Sequence, residues 1–565
     1  MTVKRAYAIC AAIFALFAVL IARFAYIQII SAGSLEEAAF EQRMSNTGVE
    51  KLRGNILDRN LISFTNRNQK YIAFIKTALI PDSQSERQQV CEILGLAPDA
   101  LDGLISSGKP EMIQTDEKGR EAILKLDKEW VSILNSLERY EENGLAKHII
   151  GYISRRDQIG QTGIEKAYER ELKNNIVFEI GAVKDAANNT IKGLGYRAKD
   201  LSSDKQLDIK LTLDYHIQKI VEDVLDKNSI SGAVVVEDIL TGDILAIASM
   251  PDYDQYKIER YLDSSGNELF NKATAAYNLG SIFKLIDAAA YYENPQKDFF
   301  NENISMQDIY NAGRFYGNDM YYCEGAVNIN NLIFKCSSYY EGGHGWLNME
   351  KAFAVSCNSY FINLACRGGY SNLIDMARKF GLGGLTGISR QGIKEAAGSL
   401  PASDTFYSQA DIANLSIGQG KLLATPLQVA DIVATVANGG IKNKINIVDS
   451  IVDSDGNKVK NIRTKGWQRV ITKETSDKLM NLMKACTEYG TGTDAVAGYY
   501  GGAGGKTGSA ETGSPDVVHA WFAGYFPALE PRYSIAVFIE NGHNGGKIAA
   551  PIFAEIAETM LEKGY

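Results

Sequence analysis

Leu279-Gly-Ser281-Ile-Phe-Lys284-Leu-Ile-Asp-Ala-Ala-Ala290 sets a serine at the head of an apolar run and a lysine one helical turn on. Ile282, Phe283, Leu285 and Ile286, with the alanines behind them, predict a buried helix. A hydroxyl at its start meets the positive end of the helix dipole, and Lys284 shares its face. Free serine is a poor nucleophile and needs a base; lysine serves when burial or a nearby cation lowers its pKa. Alone, the pair reads better as a helix cap and a solvated lysine. Ser106-Ser-Gly-Lys109 and Ser202-Ser-Asp-Lys205 even repeat the spacing. Order gives the first stretch its weight, because Ser356-Cys-Asn358 and then Lys506-Thr-Gly508 follow it.

The later motifs supply what a serine nucleophile lacks. In Ala354-Val-Ser-Cys-Asn-Ser-Tyr360, the Ser356 hydroxyl can relay a proton to a leaving amine, and the Asn358 amide can orient substrate and Lys284. Both residue types also favour helix caps. Lys506-Thr507-Gly508 follows Gly501-Gly-Ala-Gly-Gly505 and is read as preceding a strand. Glycine there lets a substrate lie along a strand edge, while Lys506 and Thr507 offer charge and hydroxyl to a carboxylate. Lys506 is also the natural cation to depress Lys284. A P-loop reading fails, because its first glycine would fall at Tyr500.

The whole chain frames this chemistry. Its 565 residues exceed one ordinary domain, and 45% hydrophobic content is ample for large cores. A net charge of −9 without a long basic block leaves nucleic-acid binding no electrostatic footprint. Seven cysteines over this length make no disulfide scaffold. Ala6 to Ala22 carries no charge, the apolar stretch resumes past Arg23 to Ile30, and Lys4 and Arg5 precede it. This predicts a single membrane anchor over 6–30 with a cytoplasmic tail, 1–5, and the remainder exported. A cleaved signal peptide is the rival, but no small-x-small site closely follows the apolar core. Residues 31–205 are charge-rich with short strand pieces such as Tyr71–Ile75 and helical stretches around Ser83–Leu94. Gly163-Ile-Glu165, Tyr168 and Leu172 read as one amphipathic helix. Asp200–Lys205 reads as a polar linker. From 206 to 565, a hairpin (Gly232–Glu237, Ile244–Ala248), a helical middle and late strands (His519–Phe526, Tyr533–Glu540) predict one mixed α/β domain.

These motifs in this order resemble the class B penicillin-binding proteins, and the resemblance runs through nearly the whole chain. It is carried further by Arg53-Gly-Asn-Ile-Leu-Asp58-Arg59, His148-Ile-Ile-Gly151-Tyr152 through Gly163-Ile-Glu165, Asn271-Lys-Ala273, Ser416-Ile-Gly-Gln-Gly420 with Thr425-Pro-Leu-Gln428, and His519-Ala-Trp521-Phe522. The resemblance implies a penicillin-binding transpeptidase domain, an antiparallel sheet with helices as in serine β-lactamases, behind an elongated α+β pedestal over 31–205. It implies a peptidoglycan D,D-transpeptidase with no organic cofactor. Ser281 would attack the D-Ala-D-Ala carbonyl with Lys284 as base, and Ser356, Asn358 and Lys506 would assist. Thr507, Gly508 and Ser509 would bind substrate, with backbone N–H groups of Ser281 and Ser509 as the oxyanion hole. β-Lactams would acylate Ser281 and stall there. A membrane-embedded glycan polymerase is the implied partner. The chain departs from the family where Asn278-Leu279-Gly280 replaces a more usual Pro-Gly, and where Ile282 and Ser509 stand in place of Thr. Competing readings are an acyl-serine hydrolase (a D,D-carboxypeptidase or β-lactamase) and a β-lactam-sensing receptor. No deacylating base can be picked out for the first. The second would need more spans and a cytoplasmic signalling part.

A second constellation overlaps the first. Cys323, Cys336, His344 and Cys357 follow C-x12-C-x7-H-x12-C, and Cys3His is a closed structural zinc set. The arrangement resembles a zinc-binding subset of these transpeptidases. A Cys323–Cys336 disulfide, or Cys357 as a small buried hydrophobe, are the alternatives.

Overall fold

The computed structural model describes residues 3–26, 44–77, 80, 83–107, 111–126, 128, 130–173, 176–183, 196–200, 206–294, 315–316, 320–402, 408–495, 501–514 and 517–565. The chain divides into two compact units, Met1–Arg53 with Gln69–Leu137 and Asn175–Gln206, and Gly54–Asn68 with Glu138–Asn174 and Leu207–Tyr565. The 31–205 span drawn from the sequence therefore contributes to both.

In the smaller unit Asn68–Ile75 is the middle strand of a sheet with Glu111–Thr115 and Val131–Glu138. Its inward side chains Ala73 and Ile75 pack with Val90, Leu101, Ile123 and Trp130. Ser83 stands at the N-cap of the helix Gln84–Leu94, where the sequence predicts one. Val3–Ala25 is helical. Among the described residues no helix is long and apolar enough to cross a membrane. Residues 27–30 of the expected anchor and 201–205 of the expected linker lie outside the described residues.

The larger unit is built on a five-stranded antiparallel sheet of β1 (Gly232–Asp238), β2 (Ile244–Met250), β3 (Gly504–Glu511), β4 (Val518–Phe526) and β5 (Tyr533–Ile539), in the order β2-β1-β5-β4-β3. β1, β2, β4 and β5 read as largely apolar runs because both faces are covered. On one face Val234, Val236, Phe522, Ile535 and Val537 pack against the helices Tyr215–Lys227 and Ala550–Glu562. On the other, Val235, Trp521, Ala523, Ala536 and Phe538 join the core of the helical middle. That middle includes α1 (Lys284–Glu293), α2 (Asn358–Gly368) and α3 (Pro426–Ala437). It is less purely helical than the sequence predicts, since short strands occupy Met320–Cys323, Ala326–Ile329, Leu332–Lys335 and Gly345–Leu347.

Segments upstream of 206 are integral to this unit. Ile56–Leu57 pairs in parallel with Leu207–Leu211. Arg139 and Glu165 form a buried ion pair at 2.7 Å, and Arg139 Nη1 donates to the Gly54 carbonyl at 2.7 Å. The helix expected over 163–172 is two short ones, Gly163–Ala167 and Glu169–Leu172, which bury Ile164, Glu165, Tyr168 and Leu172.

Candidate active site

Ser281 lies in a 3₁₀ turn, Gly280–Phe283, that leads into α1 at Lys284. The turn is pressed against β3. A Cβ on Gly280, whose φ is +55°, would meet the Ser509 carbonyl oxygen at 2.5 Å. Gly418, in the Ser416–Gly420 block, comes equally near from the other side. A Cβ there would lie 1.9 Å from the Gly280 oxygen, and Gly280 N–H donates to the Gly418 carbonyl at 3.0 Å. Two glycines thus let three backbones converge at the serine.

Lys284 is fully buried, and its Nζ lies 3.1 Å from Ser281 Oγ, 3.1 Å from Ser356 Oγ, 2.7 Å from the Ser356 carbonyl and 2.7 Å from Asn358 Oδ1. Asn358 is oriented in turn by donating Nδ2–H to the Lys335 carbonyl at 2.9 Å. Ser356 adopts φ +56°, strained for a residue with a side chain, which allows both its carbonyl and its hydroxyl to meet the ammonium. Burial first, and then the Lys506 charge, push the Lys284 pKa down to about 7. Lys506 is buried too, and its own pKa is lowered by burial. The two lysines flank an aromatic pair, Lys284 over Phe361 at 5.7 Å and Lys506 over Phe353 at 5.5 Å.

The Lys506-Thr-Gly508 motif lies within β3 rather than ahead of a strand, and β3 is the sheet's edge. Lys506 pairs with Ala523 and Gly508 with Trp521 across the ladder. Its neighbouring glycines serve packing: a Cβ on Gly508 would meet the Leu279 oxygen at 2.9 Å, and one on Gly505 the Phe522 ring at 2.2 Å. The Thr507 hydroxyl meets Thr491 Oγ1 at 2.6 Å, and Ser509 is exposed. Trp521 anchors the segment before the serine by donating Nε1–H to the Asn278 carbonyl at 3.0 Å.

Sequence reasoning missed Thr491 and Asp287. Asp287 is a buried carboxyl one turn beyond Lys284, and burial raises its pKa well above the usual range. Its aspartate within an apolar run was the available signal.

Cys323, Cys336, His344 and Cys357 converge so that their ligand atoms all lie within 4.8 Å of one another. Cys323 and Cys336 Sγ are 3.7 Å apart, Cys336 and Cys357 Sγ 3.7 Å, and Cys323 Sγ is 3.5 Å from His344 Nδ1. A tetrahedral ion with ordinary zinc bond lengths sets sulfurs about 3.75 Å apart and a sulfur and imidazole nitrogen about 3.55 Å apart. The donor set fits. Backbone N–H groups of Gly325, Ser359 and Tyr360 point at the three sulfurs, as thiolates favour. The cysteines are free, and 3.7 Å is far beyond a disulfide bond. Cys357 is also the N-cap of α2, so it faces this cluster while Ser356 and Asn358 face Lys284.

Residues 232–558 match the penicillin binding protein transpeptidase domain. The chain is 27% identical to stage V sporulation protein D of Bacillus subtilis over 571 residues, covering 96% of this chain and 83% of that one. It is 26% identical to the peptidoglycan D,D-transpeptidase MrdA of Acinetobacter baumannii over 603 residues, 95% of this chain and 84% of that one. Among solved structures, penicillin binding protein 3 of Mycobacterium tuberculosis shares the fold with a TM-score of 0.60 at 23% identity, covering 91% of this chain and 97% of that one. The chain belongs to the penicillin-binding protein transpeptidase family, in its class B branch.

Proposed function

We propose that this protein is a serine-type peptidoglycan D,D-transpeptidase in which Ser281 is the nucleophile and Lys284 its base. The observation that carries the reading is the single Lys284 nitrogen within hydrogen-bond reach of Ser281 Oγ, Ser356 Oγ and Asn358 Oδ1.

With Lys284 neutral, Ser281 Oγ attacks the penultimate D-Ala carbonyl of a donor stem peptide and its proton passes to Nζ. Backbone N–H groups of Ser281 and Ser509 hold the developing oxyanion; removing such a donor typically costs about 3–4 kcal/mol of barrier. The C–N bond breaks, and the departing D-Ala nitrogen takes a proton through Ser356. An amine from a second stem peptide then attacks the ester and gives a proton to the Lys284–Ser356 pair; the C–O bond breaks, and the pair passes that proton to the departing Ser281 Oγ, leaving a new amide and free Ser281. Lys506, with Thr507 and Gly508 on the sheet edge, binds the terminal carboxylate. A β-lactam follows the first half and stalls, because its leaving amine stays tethered.

Cys323, Cys336, His344 and Cys357 would hold a structural zinc, which supplies rigidity and no Lewis-acid step, four protein ligands leaving no open position. Residues 6–30 would anchor the chain in the cell membrane with residues 1–5 cytoplasmic. The span 31–205, apart from Gly54–Asn68 and Glu138–Asn174, which belong to the larger unit, would be the pedestal, 206–565 the body of the exported catalytic domain, and a membrane-embedded glycan polymerase the partner. Transpeptidase and hydrolase readings part on deacylation: purified protein should hold a β-lactam acyl group for many minutes and pass a thioester acyl group to D-amino acids. Rapid β-lactam turnover with no amine transfer would contradict the transpeptidase reading.

A further inference from the structure

Ser359 follows Ser356-Cys-Asn358 directly, and these four residues alternate in what they face. Ser356 and Asn358 meet Lys284 Nζ, whereas Cys357 and Ser359 turn to the sulfur cluster. Ser359 is fully buried in the first turn of α2 and makes two contacts to Cys336, hydroxyl to Sγ at 3.1 Å and N–H to Sγ at 3.3 Å. The acyl-transfer steps give this hydroxyl no part. Nor does the helix need it as a cap, because Cys357 fills that place, its sulfur accepting from Tyr360 N–H.

The direction of this hydrogen bond follows from the donor set. A cysteine that holds a metal has lost its S–H, so the Ser359 hydroxyl donates and the sulfur accepts. Three thiolates and a neutral imidazole around a divalent ion leave one negative charge in excess. The first-turn N–H groups of α2 face that charge, Ser359 N–H reaching Cys336 and Tyr360 N–H reaching Cys357 Sγ at 3.4 Å. The hydroxyl is the part of this arrangement that a side-chain substitution can remove alone. Asn363 holds the turn in place. Its Nδ2 donates to the Ser359 carbonyl at 2.7 Å and to the Tyr321 hydroxyl at 3.1 Å, tying α2 to the strand that carries Cys323.

We propose that Ser359 is a positioning residue for the metal that Cys323, Cys336, His344 and Cys357 would hold. Its hydroxyl, donated to Cys336 Sγ, fixes the direction of that sulfur and draws charge from it. The inference rests on the zinc reading of the cluster. A residue that only filled space here would need no polar atom, since a fully buried hydroxyl is costly unless it is bonded. Outer partners of metal ligands typically contribute about tenfold to a hundredfold to metal affinity.

The test uses the full-length protein, stripped with a strong chelator and reloaded with zinc or with cobalt(II) alone. Zinc affinity is read by competition with a chromogenic chelator, and the sulfur-to-cobalt charge-transfer band reports the electron density at sulfur. Ser359→Ala keeps the N–H donor and the helix and removes only the hydroxyl. Zinc should bind this variant about tenfold to a hundredfold more weakly than wild type. The cobalt band should move to longer wavelength, because a sulfur relieved of a hydrogen bond gives charge to the metal more readily. A hydroxyl that merely packs the helix would leave the band in place. An unmoved band, or zinc affinity within about threefold of wild type, would overturn the role of Ser359 and leave the zinc reading standing. Wild-type protein that takes up neither metal would overturn both.

Discussion

Lys284 is a hydrogen-bond hub and, in the mechanism proposed, also the base, and those two demands meet in its pKa. Burial and the Lys506 charge lower it to about 7, so the neutral form that accepts the Ser281 proton prevails above that value. Below about pH 7 the acylation rate should fall about tenfold per pH unit, and above it the rate should level off. Lys506→Ala removes the repelling cation, so the rise should move to higher pH; stopped-flow acylation across pH 5–10 measures both. A flat profile would contradict a lysine base. Gly418→Ala tests the backbone convergence. Its φ of +70° and a Cβ 1.9 Å from the Gly280 oxygen force the Ser281 turn aside. With strain of about 1–3 kcal/mol at such sites, acylation should drop by about tenfold to a hundredfold while the fold persists. The approach of Lys284 to Ser281 was legible because the two lie one turn apart in sequence. Gly418 was legible only as part of a familiar block, since its contact with Gly280 is a long-range approach that no local pattern encodes.

At the scale of elements, Cys357 couples two sites because it caps α2 between two residues that face Lys284. Removing metal with a strong chelator, or substituting Cys336→Ser, should raise hydrogen exchange across 320–360 and slow Ser281 acylation at least tenfold. Mass spectrometry of native protein should find one zinc per chain, lost in Cys336→Ser. Zinc-free protein that acylates at full rate would contradict a supporting role for the metal. The four-residue cluster could be read from its residue types in order, but spacing alone did not separate a metal-binding arrangement from a disulfide. The sulfurs lie 3.7 Å apart, a spacing that fits a metal site, and are positioned by strands at Met320–Cys323 and Leu332–Lys335 that the helical reading of this region missed. Those strands are only four residues each, too short for a two-residue period to stand out. The Lys506-Thr-Gly motif was misplaced ahead of β3 because its glycines resemble a loop. Gly504 and Gly505 are there because the Tyr525 and Phe522 rings of β4 leave no room for a Cβ, and Gly508 because the Leu279 carbonyl and Trp521 leave none.

For the molecule as a whole, the sequence drew a single boundary near 205, whereas Gly54–Asn68 and Glu138–Asn174 pack with the catalytic unit. Only pairing across about 150 residues, such as Ile56 with Ile209, reveals this. The buried Arg139–Glu165 pair sits in that inserted part. Arg139→Ala should therefore destabilise the catalytic unit by about 3–5 kcal/mol, because it removes the countercharge of a buried carboxylate that keeps the Tyr140 hydroxyl as a neutral donor. Thermal unfolding monitored on the acylated and free protein measures the loss, and an unchanged transition would contradict it. Deleting residues 1–30 should free the protein from membranes without changing its acylation rate. The most direct measurement of the central claim is the intact mass of wild type and Ser281→Ala after exposure to penicillin. The wild type should gain the mass of one penicillin and Ser281→Ala none; an adduct persisting in Ser281→Ala would contradict the assignment.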